Sequence, residues 1–400
     1  MGLNDTVSAE RVHIGFFGMR NAGKSSLVNA VTGQALSVVS DVKGTTTDPV
    51  KKAMELLPLG PVVILDTPGL DDEGDLGQLR VQKARQALAQ TDIAILVVDA
   101  TVGMTETDMT LKQELETRKL PYVIAYNKAD LLAERADLPE NALYVSAADG
   151  EGVRELKERL GAFARAKKNP KLLVADLLSP GDLVVLVTPI DESAPKGRLI
   201  LPQQMTLRDI LDAHATAIVC QDTELKQTLE GLGRKTRMVI TDSQAFGRVS
   251  KVVPSDIPLT SFSILMARYK GDLRALVQGA AELRKLRDGD RVLISEGCTH
   301  HRQCNDIGTV KMPGWIEQFS GAKPDYTFTS GGEFPQDLSP YRVIVHCGGC
   351  MLNEAEMQHR IARAAEAGVP IVNYGIAIAG MHSILRRSLE LFPDILALLD

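Results

Sequence analysis

Short apolar runs that stop at glycine or a polar turn recur along the chain, separated by stretches with apolar residues at helical spacing. Val12–Phe17 and the runs at 64–66, 123–126 and 143–145 read as buried strands, and a helix after the first buries Leu27, Val28 and Val31. Strands that alternate with helices predict a mostly parallel α/β sheet. This first body is expected over residues 11–168 and closes at the polar linker 167–171. Strands at Leu183–Val187, 217–220 and Met238–Thr241, with helices at 205–213 and 225–232, predict a small α/β domain over 171–255. Pro254 and Pro258 mark the next boundary. Helices at 273–286 and 354–367 then alternate with strands at 292–295, 326–329, 341–346 and 372–373. A second mostly parallel α/β domain over 256–400 follows. Asn353 with Glu356 three residues on is the capping-box pattern for its second helix.

A chain of 400 residues exceeds one core and fits two or three domains. A net charge of −6 argues against a dominant nucleic-acid surface, which needs concentrated Lys and Arg. Apolar runs stay short of the roughly 18 residues of a membrane span. Residues 1–11 lack a signal core. The expectation is a cytoplasmic protein that neither spans nor enters a membrane. Four of the five cysteines follow residue 297, which fits metal binding in a reducing compartment better than a disulfide scaffold.

The first strand leads into Gly18-Met19-Arg20-Asn21-Ala22-Gly23-Lys24-Ser25-Ser26, which fits G-x-x-x-x-G-K-S. Glycines let backbone N–H groups close around phosphate oxygens, and the following helix adds its dipole. Lys24 is placed for the β and γ phosphates and Ser25 for Mg2+. Gly44-Thr45-Thr46-Thr47-Asp48 reads as a switch segment, with Thr46 a magnesium ligand. Asp66-Thr67-Pro68-Gly69 sets Asp66 for the metal and Gly69 for the γ-phosphate. Asn127-Lys128-Ala129-Asp130 follows a further strand. Asp130 can accept both guanine N1–H and N2–H, a donor pair that adenine lacks. Ser146-Ala147-Ala148 supplies a backbone contact to the guanine oxygen. All five elements stand in order at strand ends. The region resembles the TrmE- and Era-type GTPases, which implies a P-loop fold, GTP with Mg2+, and GTP hydrolysis. Lys24, Thr46, Asp66 and Gly69 carry the catalytic roles in that resemblance. Leu70 stands where Ras-like enzymes carry a water-orienting Gln. Asn21 matches the P-loop Asn that holds K+ in the TrmE-like group, and such an ion would neutralise charge between the phosphates. Asp71, Asp72 and Glu73 offer another water-orienting group, although a solvated acidic loop explains them as well.

The chemistry of the last domain sits at two strand ends. One run leads into Glu296-Gly297-Cys298-Thr299-His300, and another into His346-Cys347-Gly348-Gly349-Cys350. Forty-five residues lie between His300 and His346. Strand ends of an α/β sheet form the crevice where such sheets bind ligands. Three thiolates suit an iron–sulfur cluster with one iron left open, and they also suit a structural zinc of the Cys3His type. Buried inert thiols are the plain alternative. The whole pattern resembles the FeFe-hydrogenase maturation GTPases. That resemblance implies a 4Fe–4S cluster on Cys298, Cys347 and Cys350, with His300 or His346 a candidate fourth ligand. It also implies a scaffold that takes a diiron precursor from two radical-SAM maturases to apo FeFe-hydrogenase. Cys304 and His301 lie outside the pattern. A homodimer follows by analogy with TrmE-like domains. The competing readings are an RNA-associated GTPase with a structural zinc, and a zinc enzyme with a regulatory GTPase.

Overall fold

The computed structural model describes residues 8–34, 50–67, 75–166, 173–189, 199–297 and 306–399. The chain divides into two compact units, Met1–Asn169 and Pro170–Asp400.

In the first unit, six strands form one sheet: β1 Val12–Phe17, β2 Val50–Leu56, β3 Gly60–Asp66, β4 Ile93–Asp99, β5 Tyr122–Asn127 and β6 Ala142–Tyr144. Their order is β2-β3-β1-β4-β5-β6. All neighbours are parallel except β2 and β3. Successive side chains point to opposite faces of a strand. Phe16 therefore joins the core on one face with Ile64, Ile95 and Val97, while Phe17 joins the other with Leu96, Leu111 and Leu115. Helices Lys24–Thr32 and Val153–Ala166 pack on the first face, and Glu106–Thr117 on the second. Its sequence pattern hid β2, whose Lys51, Lys52 and Glu55 are exposed. It is an edge strand, and charge on an edge discourages further pairing.

The second unit holds two four-stranded parallel sheets. The first comprises β7 Leu183–Val187, β8 Thr216–Cys220, β9 Met238–Thr241 and β10 Leu259–Ser261, in the order β10-β9-β7-β8. The second comprises β11 Arg291–Glu296, β12 Asp325–Ser330, β13 Val343–His346 and β14 Ile371–Asn373, in the order β12-β11-β13-β14. A single core runs from Val184 and Ile240 of one sheet, through Phe262 and Leu265, to Val292, Ile344 and Val372 of the other. Burial of that many aliphatic chains, each worth about 1.5–3 kcal/mol, makes the two sheets one folding body. β10 lies beyond residue 255 in sequence, yet it pairs with β9 in the first sheet. Helix Phe262–Lys270 then carries the chain across, with its N-terminus capped by Ser261.

Candidate functional site

In the first unit, β1 opens through Gly18–Gly23 into helix Lys24–Thr32. Gly23 adopts φ +85, and a Cβ there would lie 2.2 Å from Asn127 Nδ2. Only glycine fits so tight a turn against a neighbouring side chain. Buried Lys24 folds over its own loop, where Nζ donates to the carbonyls of Gly18 at 3.0 Å and Met19 at 2.7 Å. Ser25 Oγ donates to Asp66 Oδ2 at 2.9 Å. Asp66 Oδ1 is buried without a hydrogen-bond partner. A buried carboxylate oxygen left unpaired is destabilising. A hydroxyl beside such an oxygen suits Mg2+, which takes oxygen ligands, so these residues fit the ion.

Asn127 ties the phosphate loop to the base-binding end. Its Nδ2 donates to Ala22 O at 2.9 Å, and its Oδ1 accepts the Ala147 N–H at 3.1 Å. Ser146 Oγ accepts from the N–H groups of Ala148 and Asp149, which shapes the loop. Lys128 adopts a left-handed conformation and pairs with Asp99. Burial pushes the Asp99 carboxyl up, yet hydrogen bonds from Lys128 and Thr101 outweigh it and hold the group below its ordinary value. Asp130 stands exposed on the turn Ala129–Leu131. Arg135 bonds Ala129 O and Glu151 together, so it braces this loop from outside. Asn21 is exposed at φ 60. Asn tolerates that conformation, so the backbone alone accounts for the residue type.

In the second unit, β11 and β13 lie side by side with Ser295 opposite His346. Cys347 follows β13, and its N–H donates to Ser295 O at 2.9 Å. Cys347 Sγ accepts N–H groups from Gly297 at 3.0 Å and Gly349 at 3.4 Å. Burial pushes the Cys347 thiol up to about 11, with those two amides opposing. Burial also pushes the Cys350 thiol up, and Lys270 opposes it. Both cysteines are free. Amide donors converging on sulfur stabilise a thiolate bound to metal and tune an iron–sulfur site, so these two residues fit such a group.

Fully buried His346 has both ring nitrogens engaged. Nδ1 lies 2.7 Å from Cys347 O, and Nε2 lies 3.0 Å from Arg360 Nη1. A guanidinium only donates, which places the imidazole proton on Nδ1. Burial and the Arg360 charge push the His346 pKa down to about 3, so the ring is neutral. The Nε2 lone pair of His346, the candidate fourth metal ligand, accepts from Arg360. Arg360 is the residue that sequence reading missed. It is fully buried, bonds Glu356, Ser295 and Gly331 O, and lies over the Phe334 ring. Its signal was its place with Met357, Ile361 and Ala364 on the buried face of helix Glu354–Glu366. The capping box is half formed: Asn353 accepts the Glu356 N–H, while the Glu356 carboxylate turns to Arg360. Tyr374 donates to Glu296, the residue before Gly297, and Asn373 caps the helix Tyr374–Met381.

Thr46, Gly69, Leu70, Asp71, Asp72, Glu73, Cys298, His300, His301 and Cys304 lie outside the described residues. Among the described residues, no three His, Cys, Asp or Glu converge as metal ligands. Among them also, no helix is long and apolar enough to cross a membrane.

The fold and the first site define a P-loop GTPase domain joined to a two-sheet α/β unit with a half-buried thiol pair. A 50S ribosome-binding GTPase family model matches residues 13–128, and models of the hydrogen maturase F dimerization and tetramerization domains match 173–271 and 274–391. The chain belongs to the hydrogen maturase F family. The tRNA modification GTPase MnmE of Nitrosomonas europaea is 35% identical over 156 residues, which covers 38% of this chain and 34% of that protein. GTPase Der of Kosmotoga olearia is 32% identical over 220 residues, covering 50% of this chain and 49% of that one. The chain thus spans about a third to a half of the length of these curated relatives. The structure of Aquifex aeolicus Era shares 16% identity at a TM-score of 0.35, over 81% of this chain and 94% of that one.

Proposed function

We propose that this chain hydrolyses GTP in its first unit and holds a 4Fe–4S cluster on Cys298, Cys347 and Cys350 in its second. In this role it acts as the scaffold and carrier that delivers a diiron precursor to apo FeFe-hydrogenase. The observation that carries the reading is the pair of half-buried free thiols at a strand end, with Cys347 Sγ receiving two amide N–H groups. In the first unit, Lys24 neutralises the β and γ phosphates, and Ser25 with Asp66 and Thr46 holds Mg2+. Gly69 contacts the γ-phosphate, and Asn21 holds K+ in the place of a cationic finger. Asp130 and Ala147 read the guanine. The cluster would supply electron transfer and an iron site open to exchange. The chain's own contribution is to half-bury the thiols, supply amide donors and fix their spacing. Two radical-SAM maturases supply the cargo, and the chain works as a homo-oligomer in the cytoplasm.

A structural zinc of the Cys3His type built on His346 is disfavoured, since that ring accepts from Arg360 and donates to Cys347 O. The RNA reading draws on the tRNA modification GTPase of Nitrosomonas europaea, which is matched over 38% of this chain. The test is anaerobic reconstitution with iron and sulfide, followed by metal content and electron paramagnetic resonance. Cys298→Ser, Cys347→Ser and Cys350→Ser should each lose iron while GTP hydrolysis survives. Full iron retention in any one of them, with Cys304 also removed, would exclude the three-thiolate site.

A further inference from the structure

Lys270 ends helix Phe262–Lys270 and is only 2% exposed. Burying an ammonium is expensive unless the surroundings reward its charge. A lysine at a helix C-terminus commonly serves that helix's own carbonyls. Here Gln358 takes that task, because its Nε2 donates to Lys270 O at 3.0 Å and Gly271 O at 2.9 Å. The Lys270 ammonium reaches the cysteine loop instead. Nζ donates to Leu352 O at 3.1 Å and lies 3.5 Å from the carbonyl of Cys350. The cation comes from the segment matched to the dimerization domain, and the thiols from the segment matched to the tetramerization domain. The two lie in one compact unit around a shared core.

We infer that Lys270 is the positioning residue that compensates negative charge at the thiolate site and thereby sets the reduction potential of a cluster bound there. The inference rests on the cluster reading above. Reduction adds a negative charge to an already anionic group. A buried cation nearby stabilises the reduced form more than the oxidised one, so the midpoint potential rises. The same charge offsets the negative charge of a bound cluster and so favours its retention. A merely structural lysine would act only through its hydrogen bonds to the loop carbonyls.

Substitutions that separate charge from hydrogen bonding decide the matter. Lys270→Arg keeps the charge, Lys270→Gln keeps a donor without charge, and Lys270→Met keeps neither. Each full chain is reconstituted without oxygen, its iron is counted, and its midpoint potential is read by resonance-monitored redox titration. Thermal melts of the apo chains establish which variants fold. Lys270→Met replaces a buried charge by an apolar chain of similar length, a change that folds often tolerate, so either charge-free variant that folds suffices. The expected result is a wild-type potential in Lys270→Arg and a more negative one in Lys270→Gln and Lys270→Met. Iron lost from folded Lys270→Gln but kept in Lys270→Arg would support the charge role as well. An unchanged potential in iron-loaded Lys270→Gln would overturn the inference and leave the cluster reading standing. A wild-type chain that takes up no iron would bring down the cluster reading and this inference together.

Discussion

The phosphate loop and the cysteine loop occupy equivalent places, each just past the end of a central strand flanked by parallel neighbours, yet they are held by different means. The phosphate loop is held largely by contacts within its own residues. Its Gly23 turn and the Lys24 contacts to Gly18 O and Met19 O are local, and one neutral amide, that of Asn127, reaches Ala22 O from a distant strand end. The cysteine loop depends on side chains brought in from elsewhere. Arg360 locks His346 from the following helix, and Lys270 approaches from another segment some 80 residues away in sequence. A site built on main-chain geometry needs particular residues at particular spacing. A site built on distant buried charges needs only the fold to bring them together.

The comparison breaks most sharply at Lys24. Lys24→Ala should lower GTP hydrolysis by at least about a hundredfold, the scale seen when a preorganised charge partner is removed. Steady-state phosphate release checks this, and iron uptake by the same protein should be unchanged. Iron loading that fell as steeply as hydrolysis would show that the two sites are not independent.

At the other loop, the largest effect should come from the buried arginine. Arg360→Met leaves Glu356 buried beside an apolar chain, and removing one partner of a buried ion pair costs about 3–5 kcal/mol. Denaturant unfolding followed by a probe in the second unit measures it. The double variant Arg360→Met with Glu356→Met should recover much of the loss, because no lone charge remains. A double variant no more stable than the single one would mean that Arg360 acts through His346 and Gly331 rather than through Glu356.

These two residues also mark how far the sequence was legible. The G-x-x-x-x-G-K-S run and the Asn-Lys-x-Asp run announce their chemistry because each spacing answers to one ligand shape, and both fall at the strand ends expected. The alternating strands and helices of the second unit were readable for the same local reason. Three features were not. β2 is an edge strand whose charged face hides its period. The two sheets of the second unit share a core, which no local pattern reveals. A His beside a Cys reads in a motif as a candidate ligand; the two hydrogen-bond partners of His346 are visible only in three dimensions.

A smaller effect should follow at Gly349, where φ is +64 and the N–H faces Cys347 Sγ. Gly349→Ala forces a Cβ into the left-handed region at a cost of about 1–2 kcal/mol. It also brings that Cβ 3.0 Å from Met357 Sδ, the flexible end of a side chain that can shift. Modest destabilisation with slower iron uptake is expected, measured by thermal melting and by timed reconstitution. Gly348→Ala serves as the control, since a Cβ there meets nothing within 4 Å and its φ is not in that region. Equal effects at both positions would remove the special role of the Gly349 amide.

The smallest expected effect tests whether the phosphate loop also recruits a side chain for catalysis. Asn21 sits exposed in the left-handed region, and that conformation alone explains an Asn. Leu70, in place of a water-orienting Gln, leaves the transition-state charge to be met in another way. A monovalent cation held by Asn21 would meet it, and its fit should favour K+ over the smaller Na+. Hydrolysis should then run a few-fold faster in KCl than in NaCl at matched ionic strength, and Asn21→Ala should abolish the difference while leaving GTP affinity close to wild type. Matching the ionic strength matters, because general screening acts alike for both salts. Equal wild-type rates in the two salts would return Asn21 to a turn residue and direct attention to Asp71, Asp72 and Glu73, whose single substitutions to Asn or Gln would then show which group orients the water.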